Sequence, residues 1–163
     1  MAVVGLGNPN ASIAVYIGNR PPLPPYQSLN ACQYIDIGEI AFIGQETGNH
    51  WRKIFNCYAK LAFELDTQGF SRWQALRDES LLQNGSSYSL LFSKPNFSNH
   101  QQIKIFCGKT YFAECLDEKV EWLDEHFAIA PQKKLLVAPY FDYRQLSNLK
   151  ITRLVELIRS IQN

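Results

Sequence analysis

Residues 40–58 read IAFIGQETGNHWRKIFNCY, and how this stretch is read sets the expected fold. Residues 39–43, with Ile40, Ala41, Phe42 and Ile43 apolar, are expected as a strand. Gly44 and Gly48 then bracket a turn. From there Trp51, Ile54, Phe55, Tyr58, Leu61, Ala62 and Leu65 recur at i, i+3, i+4 and i+7, the stripe of a helix buried along one face. Arg52, Lys53, Asn56, Lys60 and Glu64 fall on the opposite face. Thr47 or Asn49 suits the start of that helix and Gly69 its end. A strand, a tight turn and a helix make the junction where open α/β sheets collect ligands, outside the carboxyl ends of the strands.

The rest of the chain repeats this alternation. Residues 13–17 and 88–92 predict strands, as do Ile103–Cys107 and Leu135–Ala138, the last stopped by Pro139. Helices are expected over 71–82, ended by Asn84-Gly85, from Lys109 onward with a further stretch to Phe127, and over the final Ile151, Leu154, Val155, Ile158 and Ile161 stripe. The Pro-rich segment 20–25 reads as a stiff surface crossing that neither continues a ladder nor starts a helix. Strands alternating with helices predict a three-layer αβα protein with a mainly parallel sheet of four or five strands. The connection between Phe92 and Ile103 is short for a parallel crossover, so one of its strands is expected to be antiparallel or outside the sheet. At 163 residues the chain is expected to be a single domain, with an N-terminal strand and crossing over 1–38 and a core over 39–163.

Composition excludes several classes. With 46% hydrophobic and 19% charged residues the chain is globular, and a net charge of +1 gives no global attraction for nucleic acid or anionic membrane. The charge is nevertheless polarised. Residues 110–128 carry six acids against Lys119, and residues 131–163 carry six bases against Asp142 and Glu156. No apolar run approaches the ~18 residues of a membrane span, and no leader pattern opens the chain, so a soluble cytoplasmic protein without membrane partners is expected. Cys32, Cys57, Cys107 and Cys115 are scattered in apolar segments, without CxxC spacing or nearby histidines. They are expected as free buried thiols, with neither metal nor cofactor. Trp51 and Trp122 are expected as core anchors.

The candidate site collects at three loops. In 44–50 the carboxylate of Glu46 faces a helix start and can activate a water, while the region of Gly44, Gln45, Gly48, Asn49 and His50 can hold an anion. Gly108-Lys109 follows one strand. Tyr140, Phe141 and Arg144 follow another and add aromatic and cationic groups. In a parallel sheet these loops converge on one edge, which suits a nucleobase or nucleotide.

These same segments resemble the uracil-DNA glycosylase superfamily. Gly44-Gln45-Glu46-Thr47 is similar to the Gly-Gln-Asp-Pro motif of its uracil enzymes, with Glu46 in the place of the water-orienting aspartate. Gly48-Asn49-His50-Trp51-Arg52-Lys53 resembles the Gly-Asn-x-Phe-Trp-Lys of its mismatch-specific members. Cys107-Gly108-Lys109-Thr110-Tyr111 resembles the late strand and helix start, and 136–157 the last strand, DNA-contacting loop and helix. The resemblance implies a base flipped onto Tyr140 or Phe141, a water handled by Glu46 attacking the sugar C1′, and phosphates held by Lys109 and Arg144. The chain departs from the superfamily in its last motif, which is His-Pro-Ser or Asn-Pro-Ser there and Pro139-Tyr140-Phe141-Asp142 here. The readings are thus a glycosylase-like protein binding DNA, a nucleotide or a nucleobase, or a non-catalytic interaction protein on the same scaffold.

Overall fold

The computed structural model describes residues 2–162. The strands are β1 (Gly5–Gly7), β2 (Ile13–Tyr16), β3 (Cys32–Gln33), β4 (Tyr88–Leu91), β5 (Ile103–Cys107), β6 (Glu121–Trp122), β7 (Ala128–Ala130) and β8 (Leu135–Ala138). They form one mixed sheet in the order β3-β1-β4-β2-β5-β8-β7-β6. The helices are α1 (Pro24–Gln27), α2 (Glu39–Thr47), α3 (Asn49–Leu65), α4 (Trp73–Glu79), α5 (Lys109–Cys115) and α6 (Asn148–Ile161).

The centre of the sheet, β4-β2-β5-β8, is parallel throughout. It matches the expectation of an α/β protein, but the full sheet has eight strands and is not mainly parallel at its margins. β1 runs antiparallel to β4, β7 antiparallel to β8, and β6 antiparallel to β7. The added strands are two or three residues long, too short for alternation to mark them in sequence. The short 92–103 connection also resolves differently from expectation. β4 and β5 are both parallel to β2, which lies between them, with Val15 paired to Leu90 on one side and Ile105 on the other.

The larger correction falls on the strand expected over 39–43, which is instead the first part of helix α2. Ile40, Ile43 and Gly44 are buried while Ala41, Phe42, Gln45 and Glu46 are exposed, a helical spacing that four consecutive apolar residues alone do not distinguish from a buried strand. At its start the Glu39 carboxylate accepts from the Asp36 backbone N–H (2.9 Å) and from the Tyr26 hydroxyl (2.7 Å). Gly48, at φ 95° and ψ −162°, occupies backbone space open essentially to glycine alone, and there α2 stops and α3 begins.

Smaller differences have equally local causes. Pro24 does start a helix, because at the first position its missing N–H costs nothing. Helix α4 ends at Glu79, followed by Leu82 in the left-handed region (φ 63°). Residues 121–130 form a hairpin instead of helix. Its turn is held by the Asp124 carboxylate, which accepts from the backbone N–H groups of His126 (2.7 Å) and Phe127 (2.9 Å). Trp122 accordingly stands 45% exposed and is no core anchor, whereas Trp51 is buried as expected.

Alternation along the central strands places Val15, Leu90, Ile105 and Leu136 on one face, packed against α3 and α6 through Ile54, Tyr58, Leu154 and Ile158. Tyr16, Phe106 and Val137 point to the other face, against Phe112 of α5. The three layers follow from this two-sided burial. Among the described residues no helix is long and apolar enough to cross a membrane, and no group of histidine, cysteine and carboxylate side chains is placed to hold a metal.

A candidate ligand cleft at the carboxyl edge of the sheet

β2, β5 and β8 are neighbours and parallel, so the chain leaves all three at one edge. Gly18 and Asn19 follow β2, Gly108 and Lys109 follow β5, and Pro139 and Tyr140 follow β8. These segments wall a cleft of 680 Å³. Tyr111 and Glu114 of α5, Glu125 and His126 of the β6–β7 turn, Arg144, and Lys150 of α6 complete it. The volume falls within the range of small-molecule sites.

Three elements far apart in sequence are tied together at the wall. The Tyr140 hydroxyl donates to Asn19 Oδ1 (2.9 Å) and lies 3.0 Å from His50 Nε2. Asn19 Nδ2 lies 3.0 Å from the same imidazole nitrogen. The His50 ring also stacks on Tyr140, 5.7 Å between centroids. Burial pushes the Tyr140 phenol up to about 12, only partly offset by the Asn19 contact, so it remains a neutral donor.

Charge in the cleft is mixed. Lys109, Arg144 and Lys150 supply cations, and Glu114 and Glu125 supply carboxylates. Next to the cleft, Asp142 is held below the usual carboxylate range, first by the backbone N–H of Arg144 and then by Lys53, whose ammonium lies 3.6 Å away. That pairing leaves Arg144 free of an ion-pair partner among the described residues, with its guanidinium stacked 5.8 Å from the Tyr143 ring.

Residues 4–159 match a family of unknown function, DUF6942. The chain belongs to DUF6942. No curated protein and no solved structure gives a significant match to it.

In this DUF6942 protein the expected site residues divide among five places. Lys109, Tyr140 and Arg144 line the cleft as expected, and His50 reaches its wall through Tyr140. Gly44 and Gln45 line a separate pocket between α2, α3 and α4. Glu46 is exposed on the outer side of α2 and is not among the residues lining the cleft. This placement follows from the helical course of 39–47, which removes the strand end that was to present its carboxylate. Gly48 forms the helix corner, and Asn49 accepts from Arg52 Nη1 at 3.1 Å. Phe141 is fully buried, edge-on to Tyr58 at 5.7 Å, so it belongs to the core and not to a ligand platform.

Sequence reasoning missed Asn19, Glu125, His126 and Lys150 of the DUF6942 cleft. Asn19 had a usable signal, since it directly follows a correctly expected strand in a parallel sheet. Glu125 and His126 had none, because they depend on a hairpin whose strands are too short to recognise.

Proposed function

We propose that the protein binds a small anionic ligand with a planar ring, a nucleotide or phosphorylated nucleobase derivative, in the cleft at the carboxyl edge of β2, β5 and β8. The observation that carries this reading is the convergence of three parallel strand ends on one cleft bearing both cations and a fixed aromatic ring. Lys109, Arg144 and Lys150 serve as phosphate partners. Tyr140, its hydroxyl committed to Asn19 and its ring stacked on His50, serves as a rigid platform. The net charge of +1 favours a small ligand over a long duplex. Glycosidic hydrolysis with Glu46 handling the water is not part of the proposal, because that carboxylate stands outside the cleft.

The test is calorimetric titration of the purified chain with AMP, UMP and free uracil, beside a labelled DNA duplex at two salt concentrations. Saturable mononucleotide binding that weakens in Lys109→Gln and Arg144→Gln supports the reading. Tight duplex binding that falls steeply with salt moves it to nucleic acid. Silence toward every ligand overturns it and leaves the interaction-protein alternative.

A further inference from the structure

The residues Gly44 and Gln45, which the cleft does not use, open onto a second pocket of 380 Å³ between α2, α3 and α4. Its floor is apolar, from Ile40, Ala41 and Phe55. Two arginines border it and differ in their commitments. Arg77 is occupied: Nη1 donates to Asn56 Oδ1 (2.7 Å), Nε and Nη2 reach the Asp78 carboxylate (2.8 and 3.3 Å), and the guanidinium stacks 5.4 Å from the Trp73 ring. Arg52 donates only to the neutral amide oxygen of Asn49, and no carboxylate among the described residues pairs with it.

Arg52 is also held in place by an absence. A Cβ built on Gly44 would fall 2.7 Å from Arg52 Cγ and 3.3 Å from its Nε, so the arginine stem lies directly across the bare backbone of α2. With Arg77 neutralised by Asp78, the uncompensated charge of the pocket is the Arg52 guanidinium, a planar fork suited to a carboxylate or a phosphate. We propose that this pocket is a second binding site, independent of the cleft, for a small organic anion whose carboxylate or phosphate pairs with Arg52 while a short apolar body covers Ala41.

The experiment is an NMR titration of the full chain with sodium benzoate, inorganic phosphate and benzyl alcohol as separate probes at constant ionic strength. Saturable benzoate shifts at the Gly44, Arg52 and Phe55 amides are expected, with phosphate weaker and benzyl alcohol at least about tenfold weaker, since it lacks the charge. Arg52→Gln is expected to weaken benzoate at least about tenfold. Gly44→Ala is expected to weaken it too, by displacing the stem, and Arg144→Gln in the cleft to leave it unchanged. Arg52 is exposed, so its glutamine variant retains the fold, which its amide spectrum checks. Equal binding of benzyl alcohol and benzoate, an undiminished Arg52→Gln response, or no shift at these amides overturns the proposal.

Discussion

The Tyr140 hydroxyl lies 3.0 Å from His50 Nε2 and donates to Asn19 Oδ1, so one phenol joins the loop after β8, the start of α3 and the end of β2. Removing only the oxygen separates its two roles. Tyr140→Phe is expected to cost about 1 kcal/mol of stability while keeping the ring that faces the ligand. Tyr140→Ala is expected to weaken nucleotide binding by about 1–3 kcal/mol through lost stacking. Urea denaturation and nucleotide calorimetry of both variants read the two effects. Equal nucleotide affinity in Tyr140→Ala and the natural protein would remove the ring from the ligand site.

The corner between α2 and α3 rests on Gly48. Any side chain there must enter a region of φ and ψ that other residues avoid, although open space surrounds the position. Gly48→Ala is therefore expected to destabilise the fold by about 1–3 kcal/mol through backbone strain alone. Glu46→Gln, two residues earlier on the exposed side of α2, is expected to change neither stability nor nucleotide affinity measurably. A Glu46→Gln variant that lost ligand binding would restore the carboxylate to the site.

Alkali tests the buried phenols. Burial holds Tyr16 and Tyr88 at about 12, as it does Tyr140, whereas the unfolded chain releases these protons near pH 10. Between those limits the folded state binds more protons. Their contribution to stability is thus intact below pH 10 and is lost as the pH climbs toward 12. Urea midpoints across that range are expected to fall steadily, with tyrosinate absorbance appearing as the protein unfolds.

Lys104 on β5 works in the opposite direction. It is 1% exposed, with its ammonium donating to the carbonyls of Asn99 (3.0 Å) and Gln102 (3.1 Å) and lying over the Phe97 ring. Burial, followed by the Lys134 charge, lowers its pKa below that of a free lysine. Below pH 10.5 the unfolded state holds this proton more readily, so the Lys104 contribution improves as pH rises to that point. The natural protein is expected to gain stability relative to Lys104→Met between neutral pH and pH 10.5. A constant difference between the two denaturation curves would contradict this.

Cys32, Cys57 and Cys107 are expected to behave as inert thiols in the folded state. Cys57 and Cys107 are buried, and burial pushes Cys57 and Cys32 up to about 11. A disulfide-exchange reagent at pH 8 is expected to titrate Cys32, Cys57 and Cys107 only in denaturant, since the thiolate is the reactive form. Rapid reaction of Cys57 or Cys107 in native buffer would reveal an opening of the core beneath the cleft.

Elements whose own periodicity runs long enough were legible in the amino-acid order. The seventeen residues of α3 and the fourteen of α6 repeat their apolar stripes over several turns, and the central strands β2, β4, β5 and β8 stand out as apolar runs between turn signals. Lys109, Tyr140 and Arg144 could be assigned to one sheet edge from sequence, because each follows an element that was legible, and all three line the cleft. The tertiary structure decided the rest. Residues 39–47 became a helix because Ile40, Ile43 and Gly44 bury together beneath α3, a contact that a four-residue apolar pattern does not encode. Asn19, His50 and Tyr140 met because β2, β5 and β8 pair side by side and α3 starts at their edge, joining residues up to 121 positions apart. Local propensity acts over a turn or two of chain, whereas strand order and the sites it assembles arise only from packing across the whole fold.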